Sequence, residues 1–379
     1  MKKKKITIKE GSVFCNQPLD LMFLEVVIIL AAVGLIMLFS ASFPTAYFEQ
    51  NNPYYYFQKQ GRAIVIGIAA MVFVGKLDYH QFKKYSHIML VISIILLGLV
   101  TIPGIGVIRN NARRWISVFG LFTFQPSEIV KLNVILDFAA SIASKKDRMK
   151  SAKKGVLPYL GILFLIFVFM MAEPHLSGAI LICSVGATLM FVGGISWKWI
   201  ASGIGAILTG AVLLVKGIIP YGQSRIAMWR NPFIDASNEG YQLSQSLITI
   251  GSGGLMGVGF GKSRQKYLFL PEVQNDFIFA VVCEELGYIG ACVVLGLFMC
   301  LILRGYWIAL HAKDRYGSLL TVGVVTLLAL QVFLNIAVVT GVVPTTGISL
   351  PFFSYGGTAI VIQLIELGVV ISVSRQIQK

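Results

Sequence analysis

LDLMFLEVVIILAAVGLIMLFSASF, residues 19–43, decides the fold. After Glu25 it runs without a charge to its end. Eighteen or more consecutive apolar residues read as a transmembrane helix rather than a buried core helix. The run lacks the apolar-polar alternation of a half-buried strand.

Outward from this segment the same texture recurs. Further apolar runs cover 61–76, 85–103, 126–144, 156–172, 177–194, 197–216, 276–303, 317–341 and 355–374. The run at 61–76 is short and the one at 126–144 is amphipathic. The expected fold is an all-α polytopic membrane protein of about ten transmembrane helices, one integral membrane domain over residues 1–379. Residues 1–18 form a cytoplasmic tail, and a long extracellular loop, 217–275, joins helices 7 and 8.

Composition agrees. Of 379 residues 56% are hydrophobic and 13% charged, about half the charged share of a soluble domain. That excludes a disordered chain, which needs low hydrophobicity. No polar stretch is long enough for a soluble enzyme domain. The net charge of +15 invites a nucleic-acid reading, but the charges sit between apolar runs, where the positive-inside rule puts them. The lysine-rich start resembles a signal peptide. Its apolar run begins too late and is too long, with no small-residue cleavage site following, so it is expected to stay as a span.

Lys2–Lys5 and Lys9, then Lys76, Lys83 and Lys84, then six cations between Lys145 and Lys154, then Arg304, Lys313 and Arg315, and finally Arg375 and Lys379 fall on one side if there are ten spans. That side is expected to be cytoplasmic, with both termini inside. Tyr54, Tyr55, Tyr56 and Phe57 read as an outer aromatic belt. The five cysteines and four histidines form no zinc pattern.

Several charges break the pattern. Arg109, Arg113 and Arg114 lie in the outer loop 104–125, and Arg225, Arg230, Lys262, Arg264 and Lys266 in 217–275. Either outer loops simply tolerate arginine, or an anionic ligand sits there, since the guanidinium fork suits phosphate oxygens. The glycine-rich GSGGLMGVGFG, 251–261, fits either a phosphate cradle or re-entrant backbone in close packing. Glu128 and Lys131 share a helix face and either pair with each other or leave Lys131 to a ligand; Asp137 is expected to pair internally. Asp276 precedes the helix beginning FIFAVVCEELG, as an N-cap or as a base at the membrane boundary. Glu284 and Glu285, about 12–14 Å further along, need a cation or polar network at that depth, as does Glu366. His175, in the Glu173-Pro174-His175 turn, reads as structural.

Taken in order, Ala112-Arg113-Arg114-Trp115-Ile116, Gln125-Pro126-Ser127-Glu128 with Lys131, Gly240-Tyr241-Gln242, Leu270-Pro271-Glu272, Asp276-Phe277-Ile278-Phe279, Glu284-Glu285-Leu286-Gly287 and PTTGISLPFFSYGG at 344–357 resemble the SEDS family, the FtsW/RodA/SpoVE peptidoglycan polymerases of cell division, cell shape and sporulation. The resemblance spans nearly the whole chain. It departs at Asn110-Asn111, where the family has Asn-Gly. It departs again at Glu173-Pro174-His175, where the family has Gln-Pro-Asp, and at Gln274-Asn275, where it has His-Thr. Ser349 leans to the FtsW/SpoVE branch.

The resemblance implies a peptidoglycan glycosyltransferase that polymerises lipid II, a disaccharide-pentapeptide on undecaprenyl pyrophosphate, outside the bacterial cytoplasmic membrane. A hydroxyl nucleophile needs a base and a pyrophosphate leaving group needs cations or a metal. Asp276 is the expected base. Arg113, Arg114 and Lys131, beside Glu128, are the expected pyrophosphate ligands, with Arg225 and Lys262 as second choices. Tyr241, Gln242 and Ser246 are expected to bond sugar or peptide. A divalent cation, magnesium or manganese, would suit the leaving group, although no all-protein ligand set is visible. The implied partners are lipid II, membrane lipid and a class B penicillin-binding protein, without nucleic acid. The rival class is a lipid II flippase, a transporter; the polar residues, however, gather in the outer loops rather than at a midplane site with inverted repeats.

Overall fold

A computed structural model of the chain describes residues 19–109, 112–118, 122–144, 149, 151–199, 201–203, 205, 223–235 and 240–377. The helices are α1 (Leu21–Gln50), α2 (Tyr55–Lys76), α3 (His80–Val100), α4 (Pro126–Ser144), α5 (Leu157–Ala172), α6 (Leu176–Val192), α7 (Gln223–Arg230), α8 (Tyr241–Ser252), α9 (Ile278–Leu310), α10 (Arg315–Val339) and α11 (Gly357–Ser374), with strands β1 (Gly106–Arg109), β2 (Ala112–Val118) and β3 (Phe122–Phe124) between α3 and α4. Six of them, α1, α2, α3, α9, α10 and α11, are long and apolar enough to cross a membrane; α5 and α6 are apolar but shorter. The chain is a multi-pass membrane protein. Of the predicted spans, 197–216 lies mostly outside the described residues, as do the tail 1–18 and the cations Lys145, Lys146, Arg148 and Lys150.

Two helix starts have a clear local cause. Asp20 caps α1, its side chain accepting from the Phe23 amide at 3.1 Å, and Asp314 caps α10 by accepting from the Gly317 amide at 2.9 Å; short acidic side chains satisfy otherwise orphaned N–H groups. α2 starts at Tyr55, six residues earlier than hydropathy predicts, so the aromatic belt forms its first turn. α4 is the amphipathic run, and protein rather than lipid surrounds it: Lys131, Asn133 and Asp137 are all buried with its apolar residues. Asp137 is met by His87 at 3.4 Å.

The bundle is held by close approach as well as by apolar burial. A Cβ on Gly67 of α2 would meet Leu364 of α11 at 2.5 Å, and one on Gly368 of α11 would meet the Met71 carbonyl at 2.7 Å. Between apolar helices in lipid, small residues permit the contact that the hydrophobic effect does not supply. At one end of the bundle, Arg304 near the end of α9 grips Asp20 at 2.8 Å, while Tyr79 donates to Asp314 at 2.7 Å and Gln376 to Asp78 at 2.9 Å.

At the other end the chain departs from plain loops. β1, β2 and β3 form an antiparallel sheet where an irregular segment was expected. The region 217–275 holds α7 and α8. The glycine-rich stretch runs against a break in α9, where Gly287 has φ 69° and ψ −173°. There the Val258 and Gly259 amides donate to the carbonyls of Glu284 (2.9 Å) and Glu285 (3.1 Å), and the Tyr288 amide donates to the Gly254 carbonyl at 2.9 Å. The glycines thus serve re-entrant backbone packing.

Candidate active site

A cavity of about 1080 Å³ opens at this second end, lined by residues from every element that reaches it, among them Arg114, Glu128, Lys131, His175, Gln242 and Asp276.

Asp276 lies two residues before α9, whose N-cap is Phe277 without a side-chain cap bond. Its carboxylate is therefore available to the cavity instead of to the helix end. The backbone around it is fixed from three directions. Asn335 of α10 donates from Nδ2 to the carbonyls of Asp276 (2.8 Å) and Ile348 (2.7 Å). Ser354 donates to the Asn275 carbonyl at 2.6 Å, and the Tyr355 amide to the Gln274 carbonyl at 2.8 Å. Gln60 of α2 in turn holds this loop, donating to the Ser354 carbonyl at 3.2 Å and accepting from the Gly356 amide at 3.1 Å. Gly347, at φ +69°, leaves room for the carboxylate: a Cβ there would lie 3.3 Å from Asp276 Oδ2. Burial, then the neighbouring Glu272 carboxylate, push the Asp276 pKa up to about 6 against the opposing pull of Arg114.

Arg114 reaches the cavity through an irregularity in the sheet. Val107 pairs with Trp115 and Ile108 with Arg113, so the register shifts and Arg114 is the extra residue of β2. A bulge re-aims side chains that strict alternation would send to opposite faces. Arg114 and Trp115 consequently both line the cavity. The guanidinium is held by the carbonyl of Glu173 at 3.2 Å and by that of Pro174.

Lys131 is 7% exposed and ion-paired to Glu128 at 2.7 Å, and both face the cavity; the two readings of this pair are compatible. His175 also lines the wall. Burial, then the charges of Arg114 and Lys131, hold its pKa down to about 3, so the ring is neutral. Its Nδ1 lies 3.4 Å from Gln125 Nε2. His175 and Gln125, with Lys59, Glu272 and Tyr355, are lining residues that sequence reasoning did not place there. Gln125 was signalled by its Gln-Pro-Ser-Glu context; nothing local distinguishes His175.

Other expected ligands do not reach the cavity. Arg113 turns to the Thr101 carbonyl at 3.4 Å. Ser246 is fully buried and donates to the Val339 carbonyl at 2.8 Å, tying α8 to α10. Tyr241 and Lys262 are absent from its walls although Gln242 is present; Tyr241 precedes Gln242 by about 100° on the helix. The side chain of Arg225 lies outside the described residues. Glu284 and Glu285 form a separate buried network. Lys266 pairs with Glu285 at 2.9 Å, Ser40 donates to Glu285 at 2.7 Å, and Ser263 donates to Glu284.

The cavity thus combines a carboxylate with a pKa of about 6, the further carboxylates Glu128 and Glu272, the cations Lys59, Arg114 and Lys131, a neutral imidazole and amide groups. Residues 20–379 match the family FTSW_RODA_SPOVE, described as cell cycle protein. The chain is 42% identical to stage V sporulation protein E of Bacillus subtilis over 94% of its length and 97% of the relative's. It is 37% identical to a probable peptidoglycan glycosyltransferase FtsW of Geobacter metallireducens, over 95% of each. Among solved structures it resembles a chain of a peptidoglycan synthase complex that coordinates polymerization and crosslinking (TM-score 0.78, 26% identity, 94% of this chain and 98% of that one). It also resembles the rod shape determining protein RodA of Thermus thermophilus (TM-score 0.70, 25% identity, 95% and 98%).

Proposed function

The chain belongs to the FtsW/RodA/SpoVE family, and from that premise we propose that it is a peptidoglycan glycosyltransferase that polymerises lipid II in this cavity with Asp276 as base. The observation that carries the reading is that Asp276 shares one cavity with Arg114 and Lys131.

The chemistry divides among the residues. The Asp276 carboxylate takes the proton from the 4-hydroxyl of the acceptor sugar as its oxygen attacks the anomeric carbon of the donor. The bond to pyrophosphate breaks with its electron pair passing to the phosphate oxygen, where Arg114 and Lys131 offset the developing charge. An α-linked donor then gives a β-linked product by a single inversion. A base with a pKa of about 6 is ionised at neutral pH yet not so weak that the proton transfer stalls. It returns the proton to water in the cavity afterwards. Gln242 and the neutral His175 offer hydrogen bonds to sugar or pyrophosphate without altering the charge balance. Among the described residues no group of three or more His, Cys, Asp or Glu side chains converges to hold a metal ion. Magnesium or manganese needs only one or two carboxylates beside substrate phosphates, so Asp276 and Glu272 of the cavity wall would hold such an ion, which would offset leaving-group charge; no step is assigned to it.

On this reading the cavity faces outward and both termini are cytoplasmic. Lys76, Lys83, Lys84, Lys313, Arg315 and Arg375 lie at or near the opposite end of the bundle, as the positive-inside rule requires. Similarity to a chain of a peptidoglycan synthase complex supports a class B penicillin-binding protein as partner, and similarity to the sporulation and FtsW proteins supports service in sporulation or division.

Purified protein in detergent, supplied with labelled lipid II and the partner, tests the assignment. Asp276→Asn is expected to remain monodisperse and lose polymerisation by about 100-fold or more, the usual scale for removing a general base. Near-wild-type glycan from that variant removes Asp276 from the role.

A further inference from the structure

Glu173 is used by nothing described so far. Its side chain is 1% exposed, and neither carboxyl oxygen has a hydrogen-bond partner among the described residues. It sits in the turn between α5 and α6, and this same turn grips Arg114: the Glu173 carbonyl accepts from Nε at 3.2 Å and the Pro174 carbonyl from Nη2. A carboxyl group buried without partners costs the fold free energy.

We propose that Glu173 is a positioning residue that controls Arg114: as a neutral acid it leaves the guanidinium charge directed at the substrate pyrophosphate, and as a carboxylate it draws that charge away and weakens lipid II binding. The inference rests on the reading of the cavity as a pyrophosphate site.

The electrostatic surroundings favour this arrangement. Burial raises the Glu173 pKa to about 8, opposed by Arg114 of β2. On the α6 side the neighbouring titratable group is His175, which stays neutral, and the charge facing His175 from α4 is Lys131. Glu173 is thus uncharged at neutral pH, whereas Asp276 is ionised there. Linkage fixes the sign. If ionised Glu173 weakens an anionic ligand, the bound ligand must raise the Glu173 pKa by the same factor. The diphosphate bridge of lipid II holds its charge across this pH range, so a change in affinity reports the protein.

Equilibrium binding of labelled lipid II to the non-turnover variant Asp276→Asn, measured from pH 6.5 to 9, tests this without relying on activity. With Glu173 present, affinity is expected to fall about fivefold between pH 7 and pH 9, the part of one pKa unit of coupling that this range spans. In the double variant Asp276→Asn/Glu173→Gln the ratio of affinities at the two pH values is expected to be within about twofold of one. Glu173→Leu in the same background is expected to give the same flat ratio and serves where the amide variant does not fold. A fivefold fall that persists in either double variant overturns the proposal. So does a flat profile with Glu173 intact, which needs no substitution at position 173. Absence of lipid II binding at every pH overturns the pyrophosphate site itself and this inference with it, an outcome distinct from binding that ignores pH.

Discussion

Arg113 and Arg114 carry the same charge at adjacent positions, and sequence alone gives no reason to prefer one. The register shift opposite Val107 and Ile108 separates them, turning Arg114 to the cavity and Arg113 to the Thr101 carbonyl. Arg114→Ala is therefore expected to weaken lipid II binding by about tenfold or more, as for loss of a charge-assisted hydrogen bond. Arg113→Ala is expected to change it by less than about threefold. Titration of both variants with labelled lipid II checks the pair, and equal losses would contradict the bulge geometry. Asp276, Lys131 and Glu128 were legible in sequence because ionisable groups near apolar runs need a reason to be there. His175 and Glu173 were not, because their significance lies in burial and in the neighbours that β2 and α4 bring to them. Ser246 misled because a serine beside a candidate site is equally suited to bonding a helix carbonyl.

Among the elements, α9 departs furthest from its sequence pattern. Its hydropathy is continuous, yet Gly287 breaks it and the 254–259 segment supplies the missing backbone partners. The glycine spacing announced unusual backbone without saying whether phosphate or protein would fill it. A Cβ on Gly287 would lie 2.2 Å from the Gly257 amide nitrogen, at a φ of +69°. Gly287→Ala is expected to destabilise the protein by roughly 1–3 kcal/mol, the range for a forced overpacking. A lowered midpoint of thermal unfolding in detergent is the readout, with an unchanged midpoint counting against the break. The small sheet was missed because β1–β3 are short and β2 carries two arginines where an apolar alternation would have marked a strand. The early start of α2 was missed because Gln58, Lys59 and Gln60 lower the hydropathy of its first turns.

For the molecule as a whole, most spans were legible from hydropathy; what was not legible is how distant segments are cross-linked. Lys266 and Glu285 form an ion pair that is nearly inaccessible, with side chains 3% and 0% exposed, and Ser40 of α1 joins it through 2.7 Å bonds to Glu285. α1 thus meets, at one charge pair, residues that lie 226 and 245 positions further along the chain. Removing one partner of such a pair strands the other, typically at a cost of about 3–5 kcal/mol, whereas removing both costs far less. Lys266→Met is expected to reduce the yield of monodisperse protein and lower its unfolding midpoint sharply. Lys266→Met/Glu285→Leu is expected to recover part of the loss. A double variant no better than the single one would mean the pair is not the joint between these segments.

Asn335 has a consequence at the same scale. Its one amide group donates to both the Asp276 carbonyl and the Ile348 carbonyl, so α10 joins Ser354, Tyr355 and Gln60 in tying the base to the loop beside it. Any tilt or slide of that helix carries them as one piece, and the distance between them is conserved while their station over the bound sugar shifts. Lateral force from a neighbour in the bilayer could thereby retune reactivity without touching a single cavity-lining atom.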